Sequence, residues 1–185
     1  MNLLLDKLPD SVMIDGEAVP INTDFRVCLK IIQAMEDDVL MEHEKLTVLI
    51  DLLYPEPPEN TALALSQGLK FLNLGKEADS AKLNQPQVYS LEKDSNYIYT
   101  AFKISFNIDL NEVEYLHWWK FRSLFADLDK DCFFNTLVSL RSRQQSGKLT
   151  DSEKDFVRRN ADLMSLTEVR HSTAVQDFIS KIGRR

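Results

Sequence analysis

Glycine and proline are scarce in this chain, at five and six of 185 residues. A many-stranded sandwich needs frequent tight turns, so this scarcity favours helices joined by few turns. Cysteine is scarcer still. Cys28 and Cys132 each stand in an apolar run at helical spacing, which reads as small-hydrophobe packing and not as a disulfide framework. No stretch approaches the roughly 20 consecutive apolar residues of a membrane span. The opening Met1-Asn2-Leu3-Leu4-Leu5-Asp6-Lys7 has too short an apolar run for a secretion signal and meets an acid at once. The expected location is therefore the cytoplasm.

Positive charge is also in deficit. The net charge is −7, and an acidic chain gains nothing from long-range attraction to phosphates, which disfavours nucleic acid as the main partner. The deficit is uneven. Residues 1–140 carry 12 basic and 23 acidic side chains, whereas residues 141–185 carry 10 and 6. This contrast suggests a helical body over 1–146 and a basic C-terminal helical extension over 147–185. Hydrophobic residues make up 44% of the chain, enough for a single core at this length.

Asp15-Gly16 between Val12-Met13-Ile14 and Glu17-Ala18-Val19 predicts a β-hairpin with a type I′ turn, closed by Pro20. Asn22-Thr23-Asp24 offers N-caps for a helix whose apolar face is Phe25, Cys28, Leu29, Ile32 and Met35, ending in an exposed acidic tip at Glu36-Asp37-Asp38. A second helix carries Leu46, Leu49, Ile50 and Leu53 and stops at Tyr54-Pro55. A third opens near Asn60-Thr61 with Ala62, Leu65, Leu69 and Leu72 on one face and Gly75 beyond its end. Residues 76–90 read as a surface loop. A helix over about 91–106 follows, with Asn107 closing it. The next, starting near Asp109, carries Val113, Leu116, His117, Trp119, Phe121, Leu124, Phe125 and Leu128 around most of its girth and belongs in the centre. Asp129 or Asp131 is the expected cap of a helix that ends at Gly147. Capping boxes at Thr150/Glu153 and Ser165/Glu168 start a helix with Phe156, Val157, Ala161 and Met164, and a last one with Val175, Phe178, Ile179 and Ile182. The expected fold is mainly α: a compact multi-helix domain with a short N-terminal β-hairpin and a C-terminal two-helix tail.

Signatures of catalysis are missing. His43, His117 and His171 have neither the mutual spacing nor the cysteine partners of a zinc site. Asp127-Leu128-Asp129-Lys130-Asp131 begins like a calcium loop, but Cys132 stands where glycine is needed and Val138 where a bidentate glutamate is needed. Gly75-Lys76 and Gly147-Lys148 lack the rest of a phosphate loop. No Gly-x-Ser-x-Gly elbow is present, and Glu112 and Glu114 are two apart, so on a helix they diverge. Neither metal nor cofactor is expected, and the chain is read as a non-enzyme.

Candidate partner-binding residues are Trp118, Trp119, Arg141, Arg143, Arg158 and Arg159. Tryptophan and arginine dominate binding hot spots, but adjacent tryptophans on a helix point about 100° apart, so one reads as core and the other as lining a helix contact, with a subunit contact for one of them as the alternative. The arginines either solvate amphipathic helices or dock the tail on an acidic surface. His117 reads as a hydrogen-bonded core histidine.

Five blocks occur in order: Asp10-Ser11-Val12 with Ile14-Asp15-Gly16; Ile21-Asn22-Thr23-Asp24-Phe25-Arg26; Leu53-Tyr54-Pro55-Glu56; Asp94-Ser95-Asn96-Tyr97-Ile98-Tyr99-Thr100-Ala101-Phe102; and, after Ile108-Asp109-Leu110, Leu116-His117-Trp118-Trp119-Lys120-Phe121-Arg122-Ser123-Leu124-Phe125. Together they resemble the bacteriophage gene-product-fifteen family of long-tailed phages and prophages of Gram-positive bacteria, over about residues 1–145. The resemblance implies a tail-assembly chaperone that binds the tape-measure protein, helps recruit tail-tube subunits, self-associates along that rod, works in the host cytoplasm and is left out of the finished virion. The alternatives are a minor structural component of the tail, or a regulator that binds nucleic acid or a host protein. The family supplies no catalytic residues to carry over.

Overall fold

The computed structural model describes residues 4–76 and 86–166. Two strands and eight helices lie among them: β1 (Ser11–Ile14), β2 (Glu17–Pro20), α1 (Phe25–Glu36), α2 (Glu42–Leu53), α3 (Thr61–Leu72), α4 (Ser95–Phe106), α5 (Trp118–Ala126), α6 (Phe133–Gln145), α7 (Asp151–Arg159) and α8 (Ala161–Met164). The mainly helical fold with an N-terminal hairpin is as expected. The chain divides into two compact units, Met1–Gln85 with Ile98–Asp129 and Pro86–Tyr97 with Lys130–Arg185. The division falls within α4, and Gly147 lies inside the second unit.

In the first unit, β1 and β2 pair antiparallel from Ser11↔Pro20 to Ile14↔Glu17. Asp15 and Gly16 both take positive φ, at 50° and 87°, as a type I′ turn requires. Asp24 caps α1 through its carboxylate, which accepts the Arg26 N–H. Asn60 caps α3 by accepting from Leu63 N. Helices α1, α2 and α3 pack in sequence, and α3 also packs on β1. Gly68 permits the α2–α3 approach, because a Cβ there would lie 2.9 Å from both Leu49 Cδ2 and Leu53 Cδ2. That close packing rotates α3 relative to expectation. Ala64, Gly68, Phe71 and Leu72 are buried, whereas Ala62 and Leu69 are exposed. On α1 the buried isoleucine is Ile31 and not Ile32.

Two helix starts differ from the periodicity. Residues 91–94 form a turn, with Ser90 N donating to Asp94 Oδ2 at 3.0 Å, so α4 begins only at Ser95. Helix α5 begins at Trp118 and not near Asp109. Asp109 instead folds its own turn, accepting from Asn111 N, and the chain then runs extended into a bridge between Asp24 and His117. There Phe25 N donates to Leu116 O at 2.9 Å and Trp118 N to Thr23 O at 2.7 Å. Local apolar periodicity cannot report such a long-range pairing.

The second unit has its own small core of Leu137, Leu140 and Met164, against which Tyr97, Leu149, Phe156, Val157 and Leu163 pack. Cys132, and neither Asp129 nor Asp131, occupies the N-cap of α6, without a side-chain bond. Gly147, at φ 68°, follows the end of α6. Thr150 and Glu153 form the expected capping box of α7. The helix predicted to run on to Met164 breaks at Asn160, whose side chain donates back to Phe156 O at 2.8 Å. Ser165 is the C-cap of α8; its expected box partner Glu168, His171 and the final helix around Phe178 lie outside the described residues, as do residues 77–85 of the expected loop.

Candidate functional site

The most specific block of the sequence, His117 to Phe121, lies in the first unit, and its buried side chains His117, Trp118, Trp119 and Phe121 each have an identifiable task. His117 is the N-cap of α5. Its Nδ1 accepts the Trp119 N–H at 3.0 Å, so Nε2 carries the proton and donates to Pro9 O at 3.0 Å. Burial holds its pKa below the usual histidine value, against the opposing pull of the Pro9 carbonyl. This is a neutral structural imidazole with both nitrogens committed.

Trp118 and Trp119 are both buried, at 1% and 7% exposure. The expected divergence of adjacent side chains is met by two neighbouring acceptors. Trp118 Nε1 donates to Leu72 O at 3.0 Å and Trp119 Nε1 to Phe71 O at 2.9 Å. These two carbonyls belong to the last turn of α3, where helix acceptors lack intrahelical partners. The tryptophans therefore finish α3 while filling the core. Phe121 stacks between Phe25 and Phe102 at 5.0 Å on each side, and Arg122 lies over the Trp118 ring.

Other blocks of the sequence converge on the same place. Asn22 N donates to Leu53 O and its side-chain amide to Leu52 O, both at 2.7 Å. Tyr54 O–H donates to Ala64 O at 2.7 Å, and burial pushes its pKa up to about 12. Arg26 reaches across to Leu110 O at 2.9 Å and Val113 O at 2.6 Å, pinning the loop before α5. Nothing in the spacing marks Arg26 or Asn22 for these tasks; only their place in the second block singles them out.

Asp94, from the fourth block, acts in the second unit. It forms a two-pronged ion pair with Arg141, at 2.6 and 2.9 Å, with both residues almost fully buried. Arg141 also donates to Leu163 O at 2.7 Å and Val88 O at 3.3 Å, while its Nε has no partner. Arg141 is thus an internal tie. Of the remaining candidate arginines, Arg143 pairs with Glu153 at 2.6 Å, Arg158 with Asp155 at 2.8 Å, and Arg159 Nε donates to Asp155 O at 3.2 Å. All three reach solvent. Trp118 and Trp119 lie in the first unit and the four arginines in the second.

What the first unit does present is an open cavity of about 330 Å³ lined by Leu8, Trp119, Lys120, Ser123 and Leu124. One edge of Trp119 forms its wall, held there by the indole bond to Phe71 O and by Gly75, whose absent Cβ would sit 3.2 Å from Trp119 Cη2. The cavity offers apolar walls with one lysine and one hydroxyl, a lining suited to an apolar side chain. Among the described residues, no group of three or more His, Cys, Asp and Glu is arranged to hold a metal ion, and no helix is long and apolar enough to cross a membrane.

The five sequence blocks supply side chains that hold the interiors of both units. The family described as Bacteriophage Gp15 protein matches residues 4–166, and the chain belongs to it. The match runs through α7 and α8, beyond the limit near residue 145 suggested by the blocks alone. No curated protein and no solved structure matches the chain.

Proposed function

We propose that this phage protein is a non-enzymatic tail-assembly chaperone that binds the tape-measure protein in the host cytoplasm and helps recruit tail-tube subunits. The observation that carries the reading is the apolar cavity beside Trp119, set in the most specific block of a phage family. A tape measure is expected to be a long helix with apolar stripes, insoluble when bare. An open groove on α5 can take one such apolar side chain from each passing segment, and many copies on one rod add avidity. His117 is neutral and bonded at both nitrogens, an arrangement that suits a structural imidazole and not a general base.

Co-expression with the tape-measure protein of the same phage tests the proposal. The wild-type chain should bring it into the soluble fraction and co-purify with it. Ser123 is exposed, so Ser123→Arg fills the cavity mouth without disturbing the core and should reduce recovery about tenfold, the effect of losing one anchor side chain. A tape-measure protein that stays insoluble with the wild-type chain overturns the proposal. Stoichiometric presence of this chain in purified virions would replace the chaperone with a structural tail component.

A further inference from the structure

The turn joining α1 to α2 exposes apolar and acidic side chains side by side. Over residues 36–45 it carries five acids, Glu36, Asp37, Asp38, Glu42 and Glu44, against Lys45, which pairs with Glu42 at 3.4 Å. Two apolar side chains stand bare among these acids: Val39 at 89% exposure and Met41 at 64%. The backbone beneath them is fixed. Val39 N donates to Asp37 Oδ1 at 2.7 Å, Met41 N to Glu44 Oε2 at 2.8 Å, and Glu44 N to Met41 O at 3.0 Å. These bonds order the turn while both apolar side chains remain exposed, where a second molecule can cover them.

The chain carries a complementary sequence. Residues 167–185, outside the described structure, place Val175, Phe178, Ile179 and Ile182 at the spacing of one helical face. They hold Arg170, Lys181, Arg184 and Arg185 against Glu168 and Asp177. Apolar side chains flanked by cations match apolar side chains flanked by carboxylates in both terms of an interface, area and charge. We propose that the α1–α2 turn is the docking surface for segment 167–185 of a second copy, so that the protein associates head to tail. Two different surfaces on one chain make a heterologous contact, which extends into a ring or a filament. This contact uses neither the cavity beside Trp119 nor its occupant, so it stands independently of the chaperone reading.

Sedimentation of the full-length chain over a wide concentration series tests it. The mass should rise above the 21.3 kDa monomer. The association should weaken at about 0.5 M salt, where the screening length falls to roughly 4 Å. Val39→Ser/Met41→Ser, Glu36→Lys/Asp38→Lys and Arg184→Glu/Arg185→Glu should each weaken it at least about tenfold. The first two alter exposed turn residues, and circular dichroism should show an unchanged fold in each of the three. Mixing the two charge-reversed proteins should restore association, because each supplies the complement the other lacks. A monomeric wild type, association indifferent to all three variants, or a failure of the mixture to recover would overturn the proposal. So would a segment found bound within its own chain.

Discussion

In the first unit the buried polar contacts join neutral groups. Two indole N–H groups, a neutral imidazole and a tyrosine hydroxyl are satisfied by backbone groups around a run of stacked rings. In the second unit the core is smaller, and the polar contact that ties it is a fully charged pair, Asp94–Arg141, under Leu137, Leu140 and Met164. Neutral anchors leave little behind when one is removed, beyond a lost bond and a small cavity. A buried ion pair is different, since removing one partner strands a charge away from water. The two units should therefore respond very differently to changes of similar size.

The largest effect is expected at Asp94→Ala, which should destabilise the second unit by about 3–5 kcal/mol by leaving the Arg141 guanidinium buried and unpaired. The double change Asp94→Leu/Arg141→Met should recover most of that loss. Hydrogen exchange in α6 reads both, and a single variant as stable as the wild type would show the pair to be unimportant. In the first unit, Trp118→Phe keeps a ring but leaves Leu72 O without its donor, for about 1–3 kcal/mol. Cys28 reports the result, because it is wholly buried and its thiol pKa is pushed up to about 12 by burial, with Asp24 adding to the effect. Alkylation of Cys28 should accelerate as the first unit opens more often, while Cys132, partly exposed in the second unit, reacts first in the folded protein.

Acid should also separate the two regions. The folded pKa of His117 lies below 6.5. As pH falls through about 6.5 the unfolded chain binds a proton that the folded chain does not, so stability is lost on acidification by at most about 1.4 kcal/mol per pH unit. His117→Asn keeps a good N-cap oxygen and should flatten that slope in urea titrations between pH 7 and 5.5. A slope that survives the substitution would assign the effect to another group. The smallest expected effect is Thr150→Ala, which removes the cap of α7 for about 1 kcal/mol and should shift the melting of the second unit alone.

The sequence disclosed those elements whose signals are local. The Asp15-Gly16 turn, the Asp24 and Asn60 caps, the stop at Tyr54, and the Thr150/Glu153 box all depend on a few adjacent residues, and all are present. What it concealed depends on distant partners. The stretch from Asp109 to Leu116 has helical periodicity, but its extended pairing with Asp24 is decided by residues about ninety positions away. The face of α3 was obscured because Gly68, which sets it, contributes no apolar side chain to the count. Arg141 looked like part of a solvated basic tail, since nothing near it in sequence hints at Asp94, 47 positions earlier. The cavity was invisible for a similar reason: Leu8 comes to Trp119 and Leu124 only through the fold. The five blocks mark residues that hold the molecule together, and the last of them also supplies four of the cavity's five lining residues, Trp119, Lys120, Ser123 and Leu124.

Lys120 is exposed at the rim of that cavity, and amine cross-linking of the co-purified complex with the tape-measure protein, read by mass spectrometry, interrogates the surface directly. The account predicts recurrent links from Lys120 to the tape measure, lost in Ser123→Arg. Abundant links from other lysines with none from Lys120 would contradict it.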